Sequence, residues 1–276
     1  MRVPRPVELR NHPRALLIAF LGALVIDRSD DPVGARVLLD VLTGLRITEP
    51  AARSALSRMT REGALERRQT GRVAAYRAAP SLEATIRDRR VRVEGDDPFG
   101  RARDEWTLVS FSVPEIHRAQ RHRLRARLHW AGFAVLRDGL WLAPGHADTG
   151  RLLADLGRDV GVCEAFLGRP LPGTDVGAFI ARAWDLPLLR AEHERFTGRW
   201  GRPDAGADQQ PMLALTAMSV DWLRLLGADP GLPPAHLPPD WPAGRSAEVY
   251  RACWDRLSGP AATELREVLA ADAGRR

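Results

Sequence analysis

Apolar residues recur at helical spacing through the first quarter of the chain and predict three helices. Residues 13–26 offer Leu16, Leu17, Phe20, Leu21 and Leu24 to a core, residues 33–44 read as a second helix, and Gly44 supplies the following turn. The third spans 49–62. At about 100° per residue, Ala52, Ala55, Leu56 and Met59 fall on one face, Ser54, Ser57, Arg58 and Arg61 on the other, and Arg53 on the flank. Thr48 suits the N-cap, Pro50 the first turn, and Gly63 the stop. Glu66-Arg67-Arg68 then leads to a turn at Gln69-Thr70-Gly71-Arg72 and a return strand from Val73 to Arg77. Three helices followed by an arginine-tipped hairpin predict a winged helix-turn-helix. A further helix over 82–93 leaves this domain, and the Gly, Asp and Pro of 95–100 mark a linker.

Beyond the linker the period changes. Trp106–Val113 alternates as a strand, 115–130 has helical spacing, and strands at 133–137 and 140–143 flank the hairpin signal Asp138-Gly139. A helix over 149–157 and a strand over 160–166 complete a βαββαβ order, that of a ferredoxin-like domain. After a second linker at 168–173, helices are expected at 177–186, 188–200, 212–226, 245–257 and 260–271. A proline-dense loop at 229–242 interrupts them, with Leu232, Leu237 and Trp241 placed to pin it. The fold class is α+β multidomain: a winged-helix domain over 1–93, a ferredoxin-like linking and dimerisation domain over 101–170, and an α-helical effector domain over 174–276. Trp184, Arg195 and Trp200 have the roughly helical spacing of either an effector pocket or an ordinary aromatic core.

Charge sharpens the division. Residues 1–92 hold 18 arginines against 10 acidic residues, and the remaining chain 23 against 25. With no lysine anywhere, arginine abundance partly reflects composition, but its asymmetry places the positive excess on the winged-helix segment. An arginine fork reads guanine edges in the major groove, and serine hydroxyls bond bases or phosphates. Arg53, Ser54, Ser57, Arg58 and Arg61 are therefore the candidate DNA readers, with Arg67, Arg68 and Arg72 beside the backbone, where charge gives salt-dependent affinity.

Other chemistries find no constellation in the sequence. The glycine-rich phosphate loop, the paired histidines of a zinc helix and the nucleophile elbow are all missing, so neither a catalytic residue, a metal site nor a cofactor is expected. Cys163 and Cys253 have no metal-ligand spacing and read as small buried hydrophobes. The longest apolar run is too short to span a membrane, and no cleavage signal follows it, which points to the cytoplasm.

Three stretches in this order, RSALSRMTREGALERRQTGRVAAYR, WTLVSFSVPE with RHRLRARLHWAGFAVLRDGLWLAP, and AWDLPLL with DPGLPPAHLPPDWP, resemble the PaaX-type phenylacetate-degradation repressors. The resemblance implies a homodimeric repressor on a palindromic double-stranded DNA operator, released by a small-molecule effector of the aryl- or acyl-coenzyme A class. In the helix before the proline loop, Trp222 and Leu223 stand where the family pattern leads one to expect tyrosine and arginine. The competing expectation is a metal-dependent nucleic-acid-processing enzyme, because the middle segment also resembles a small ferredoxin-like nuclease. That nuclease carries an aspartate at the end of its first strand; here Ser112 occupies the position.

Overall fold

A computed structural model describes residues 12–28, 31–70, 73–100, 105–147, 149–150 and 162–273. The architecture is mixed, with helices and two antiparallel sheets. The chain divides into two compact units, and neither is continuous in sequence. The first takes residues 1–95, 195–224 and 245–276; the second takes 96–194 and 225–244. The expected C-terminal domain over 174–276 is thus shared between the two. Periodicity identified its helices and their apolar faces but carried no information about what those faces meet.

In the first unit, α1 (Pro13–Phe20) continues through a π turn over Leu21–Val25. It buries Leu16, Leu17 and Phe20. β1 (Val33–Gly34) precedes α2 (Ala35–Gly44), so the predicted helix starts two residues late. The backbone of Val33 and Gly34 is taken up by strand pairing with Tyr76 and Ala75. α3 (Glu49–Arg61) follows, then β2 (Leu65–Thr70) and β3 (Val73–Ala78), in a sheet of order β1-β3-β2. The turn between α2 and α3 also differs from expectation. Arg46, not Gly44, adopts the left-handed conformation, at φ +65°. Gly44 is needed for close approach instead: a Cβ there would lie 2.6 Å from Leu213 Cδ1.

α4 (Pro80–Val93) is tied to the end of α1 by Asp27, which accepts from Arg87 Nε at 2.9 Å and also pairs with Arg90. The C-terminal helices supply the rest of this unit's core. Trp222 stacks on Tyr250 with ring centroids 4.4 Å apart and planes 9° from parallel, and its Nε1 donates to the Val93 carbonyl at 3.3 Å. Where two helices were expected over 245–257 and 260–271, one helix (Ala243–Ala273) runs through Pro260. Leu257, Ala261 and Leu265 are buried on both sides of the proline, so packing holds the axis where a backbone hydrogen bond is lost.

In the second unit, β4 (Trp106–Ser112), α5 (Arg118–Trp130), β5 (Ala134–Arg137), β6 (Leu140–Pro144) and β7 (Val162–Gly168) appear in that order. The sheet order is β5-β6-β4-β7, every neighbour antiparallel. Gly139 at φ +76° makes the β5–β6 turn. The expected helix over 149–157 and the start of the expected strand at 160 lie outside the described residues; the described strand ends two residues later than expected. Side-chain alternation along β4 feeds two cores. Val109 and Phe111 pack with Leu124, Leu128 and Trp141, whereas Trp106 packs with Leu142, Phe179, Ile180 and Leu232. The second cluster is closed by α6 (Val176–Ala183), the first part of α7 (Leu186–Trp200) and the proline loop, where Leu237 and Trp241 lie half-buried as anticipated. The loop is fastened by Arg190, whose guanidinium meets both Asp240 carboxylate oxygens (2.9 and 3.1 Å) and lies 5.5 Å from the Trp241 ring centre.

Candidate nucleic-acid interface

The first unit presents α3 with one face closed and one open. Ala52, Ala55 and Met59 are fully buried and Leu56 nearly so, against α1 and α2; alanine at two of these positions lets the helices approach closely. Thr48 occupies the N-cap but makes no side-chain capping bond. The C-terminus is closed by backbone alone: Gly63 N–H bonds the Thr60 carbonyl at 3.0 Å, and Ala64 N–H bonds the Met59 carbonyl at 2.9 Å. Gly63 takes φ +70° to allow this, which is the Schellman arrangement. It turns the chain straight into β2, so the hairpin is anchored to the end of α3.

Arg53, Ser54, Ser57, Arg58 and Arg61 are all exposed on the opposite face. They are not equivalent. The Arg53 guanidinium is held by Glu49 one turn earlier, with Nε at 2.9 Å and Nη2 at 2.6 Å from the same carboxylate oxygen. Arg58 and Arg61 have no ion-pair or hydrogen-bond partner among the described residues. In the hairpin, exposed Arg67 is likewise unpaired among the described residues, while Arg68 Nη2 lies 3.5 Å from Glu66. Arg72 lies outside the described residues. Sequence pattern gave no sign of the Glu49–Arg53 pairing, although its i,i+4 spacing could have suggested it. It also passed over Arg46, an exposed cation at the entry to α3, and Arg14, which pairs with Glu62 at the other end of the helix.

The three aromatic and basic residues considered for an effector do not form one surface. Trp184 belongs to the second unit, half-buried against Phe179 (ring centres 5.6 Å apart) and Trp106 (6.1 Å). Trp200 belongs to the first, buried, with Nε1 donating to Asp221 at 2.9 Å and its carbonyl 3.1 Å from the Cys253 sulfur. Arg195 is exposed on α7. Trp184 and Trp200 are structural, each filling a core of its own unit.

A buried polar pair escaped sequence reading because its members are 36 residues apart. His193 Nε2 lies 2.8 Å from Asp229 Oδ2, and the other Asp229 oxygen accepts from Gly231 N–H at 2.6 Å. Phe99 packs edgewise on the imidazole, with ring centres 4.9 Å apart. This pair sets the start of the proline loop on α7. Among the described residues, no group of three or more His, Cys, Asp or Glu is placed to hold a metal. Ser112 is exposed at the end of β4.

No helix in the described residues is long and apolar enough to cross a membrane. No curated protein matches the chain. It is similar in fold to the solved structure of the uncharacterised protein Rv0674 from Mycobacterium tuberculosis. That match has 24% identity and a TM-score of 0.58, and covers 90% of this chain and 97% of the other. Three family descriptions match in chain order: PaaX-like protein over residues 12–81, the PaaX central Cas2-like domain over 100–164, and the PaaX-like C-terminal domain over 184–267. The chain therefore belongs to the PaaX family.

Proposed function

We infer that this protein is a sequence-specific DNA-binding transcriptional regulator, a cytoplasmic homodimer that represses from a palindromic operator and is released by a small-molecule effector. One observation carries the reading. α3 exposes two unpaired arginines, Arg58 and Arg61, and two serines on the face opposite its buried alanines, and a hairpin is locked to its end. On this reading the first sheet and α1–α3 are a winged helix-turn-helix, with α3 in the major groove and the hairpin along the backbone. The positive excess of residues 1–92 supplies the electrostatic attraction. The antiparallel order β7-β4-β6-β5, fourth strand beside first, third and second, supports a ferredoxin-like reading of the second sheet. Family membership supports the repressor role. A nuclease reading has less to draw on: the strand end that would need a carboxylate carries Ser112.

The test begins with genomic fragments retained by the purified protein at physiological salt, followed by anisotropy titrations on the enriched site. Arg58→Ala and Arg61→Ala should each weaken specific binding by about tenfold or more, the worth of a guanine contact at roughly 1–3 kcal/mol. Far-UV circular dichroism should remain unchanged. Undiminished operator affinity in the double variant would remove α3 from its assigned role.

A further inference from the structure

The first unit contains a cavity that none of the residues discussed as DNA readers touches. Its walls come from four helices: Ile18 and Gly22 on α1 and its π turn, Ile86 on α4, Ser219 and Trp222 on α8 (Pro211–Ala228), and Tyr250 on the last helix. About 70 Å³ is open to the centre of a water-sized sphere. That is several times the roughly 10–15 Å³ needed to hold one water.

The lining is apolar and aromatic, with polar groups of a particular kind. Ser219 is 7% exposed, and its hydroxyl has no hydrogen-bond partner. Leaving such a group unsatisfied costs about 1–3 kcal/mol. Tyr250 is 5% exposed; its ring is stacked on Trp222, and its phenol has no hydrogen-bond partner among the described residues. Burial raises the phenol's pKa, so it stays a neutral donor. Two arginines of α4 stand beside the space. Arg90 is already engaged with Asp27, the Gly22 carbonyl and Glu94. Arg89 is exposed and unpaired among the described residues.

We propose that this cavity is the effector site and takes a single-ring aromatic carboxylate. The ring packs against the Trp222–Tyr250 wall, a ring substituent bonds the Ser219 and Tyr250 hydroxyls, and the carboxylate meets Arg89 at the mouth. Aromatic walls select a flat ring, and a guanidinium–carboxylate contact is a strong charge-assisted hydrogen bond. The volume suits a free acid and leaves no room for the bulk of a coenzyme A thioester. The proposal deepens the regulator reading, because α1 and α4 are walls of the cavity and also belong to the unit that carries α3.

Calorimetric titration of the full chain with 4-hydroxybenzoate, with benzoyl-coenzyme A as a second arm, tests it without DNA. The free acid should bind saturably at one site per chain. Ser219→Val and Arg89→Gln should each weaken it by roughly tenfold, about one hydrogen bond's worth, with melting temperature little changed. Gly22→Leu, which fills the space beside Ile86, should abolish binding. Absence of saturable binding, affinity unchanged in both Ser219→Val and Arg89→Gln, or tighter binding of the thioester would each overturn the proposal. None of these results bears on the Arg58 and Arg61 titrations, so the two readings fail separately.

Discussion

Arg53 shows how a single neighbour changes a residue's meaning. On the helical wheel it is a basic reader; in the structure its guanidinium is spoken for by Glu49. An exposed pair of this spacing adds only about 0.3–0.5 kcal/mol to the helix, so its main effect is on charge available to DNA. Glu49→Gln should therefore strengthen binding to mixed-sequence DNA and steepen the dependence of log K on log salt by up to about one unit. An unchanged salt slope would mean that Arg53 stays away from phosphate. Asp27 makes a different prediction. Hydrogen bonding from Arg87, with the charges of Arg87 and Arg90, holds its carboxyl below the ordinary value of 3.8. With a depressed folded-state pKa, its contribution is present above the ordinary value and lost as pH falls through the lowered one. Asp27→Asn should thus reduce stability near neutrality and flatten the acid limb of a stability–pH curve below about pH 4. A limb as steep as the parent's would assign acid unfolding to other carboxylates.

At the scale of elements, periodicity was sufficient wherever one face is buried and the other wet. The bounds of α3, read from Ala52, Ala55, Leu56 and Met59 with Gly63 as the stop, differ from those observed by one residue. β4 was equally legible from its alternation. Punctuation misled where packing overrode it. Gly44 was assigned to a turn but is required by Leu213, and Pro260 was taken as a break but sits inside a 31-residue helix. Neither tertiary cause leaves a local mark. Pro260→Ala should restore the missing i→i−4 bond and stabilise the protein by about 1 kcal/mol or more, read from the urea midpoint. Destabilisation would show that a proline-induced bend is needed for the buried contacts of Leu257 and Leu265. Of the candidate site, the exposed arginines and serines were legible, whereas the Arg53 pairing, the left-handed Arg46 and the unpartnered hydroxyl of Ser219 depend on contacts across the fold.

For the whole molecule, the distinctive property is that its basic unit is assembled from three separated segments. Apolar patterning cannot show this, because it says that a face is buried without saying by what. Trp222 and Tyr250 form one stack from helices far apart in sequence, and Gly34 has Asp272 where its Cβ would be. A chain ending at residue 244 should therefore bind a hydrophobic dye and melt roughly 10 °C or more below the full chain. An unchanged melting temperature would make the winged segment self-sufficient.

The same interleaving imposes an order on biosynthesis. About 150 residues must be translated between the end of the first segment and the start of the third, which takes roughly 8–30 s at ordinary elongation rates. During that interval the nascent basic segment emerges without its closing helices and must wait, a natural client for a holding chaperone. A ribosome that terminates early releases a chain whose DNA-reading half was never finished. Regulatory competence is thereby coupled to completion of the message, as though the last helix countersigned the first.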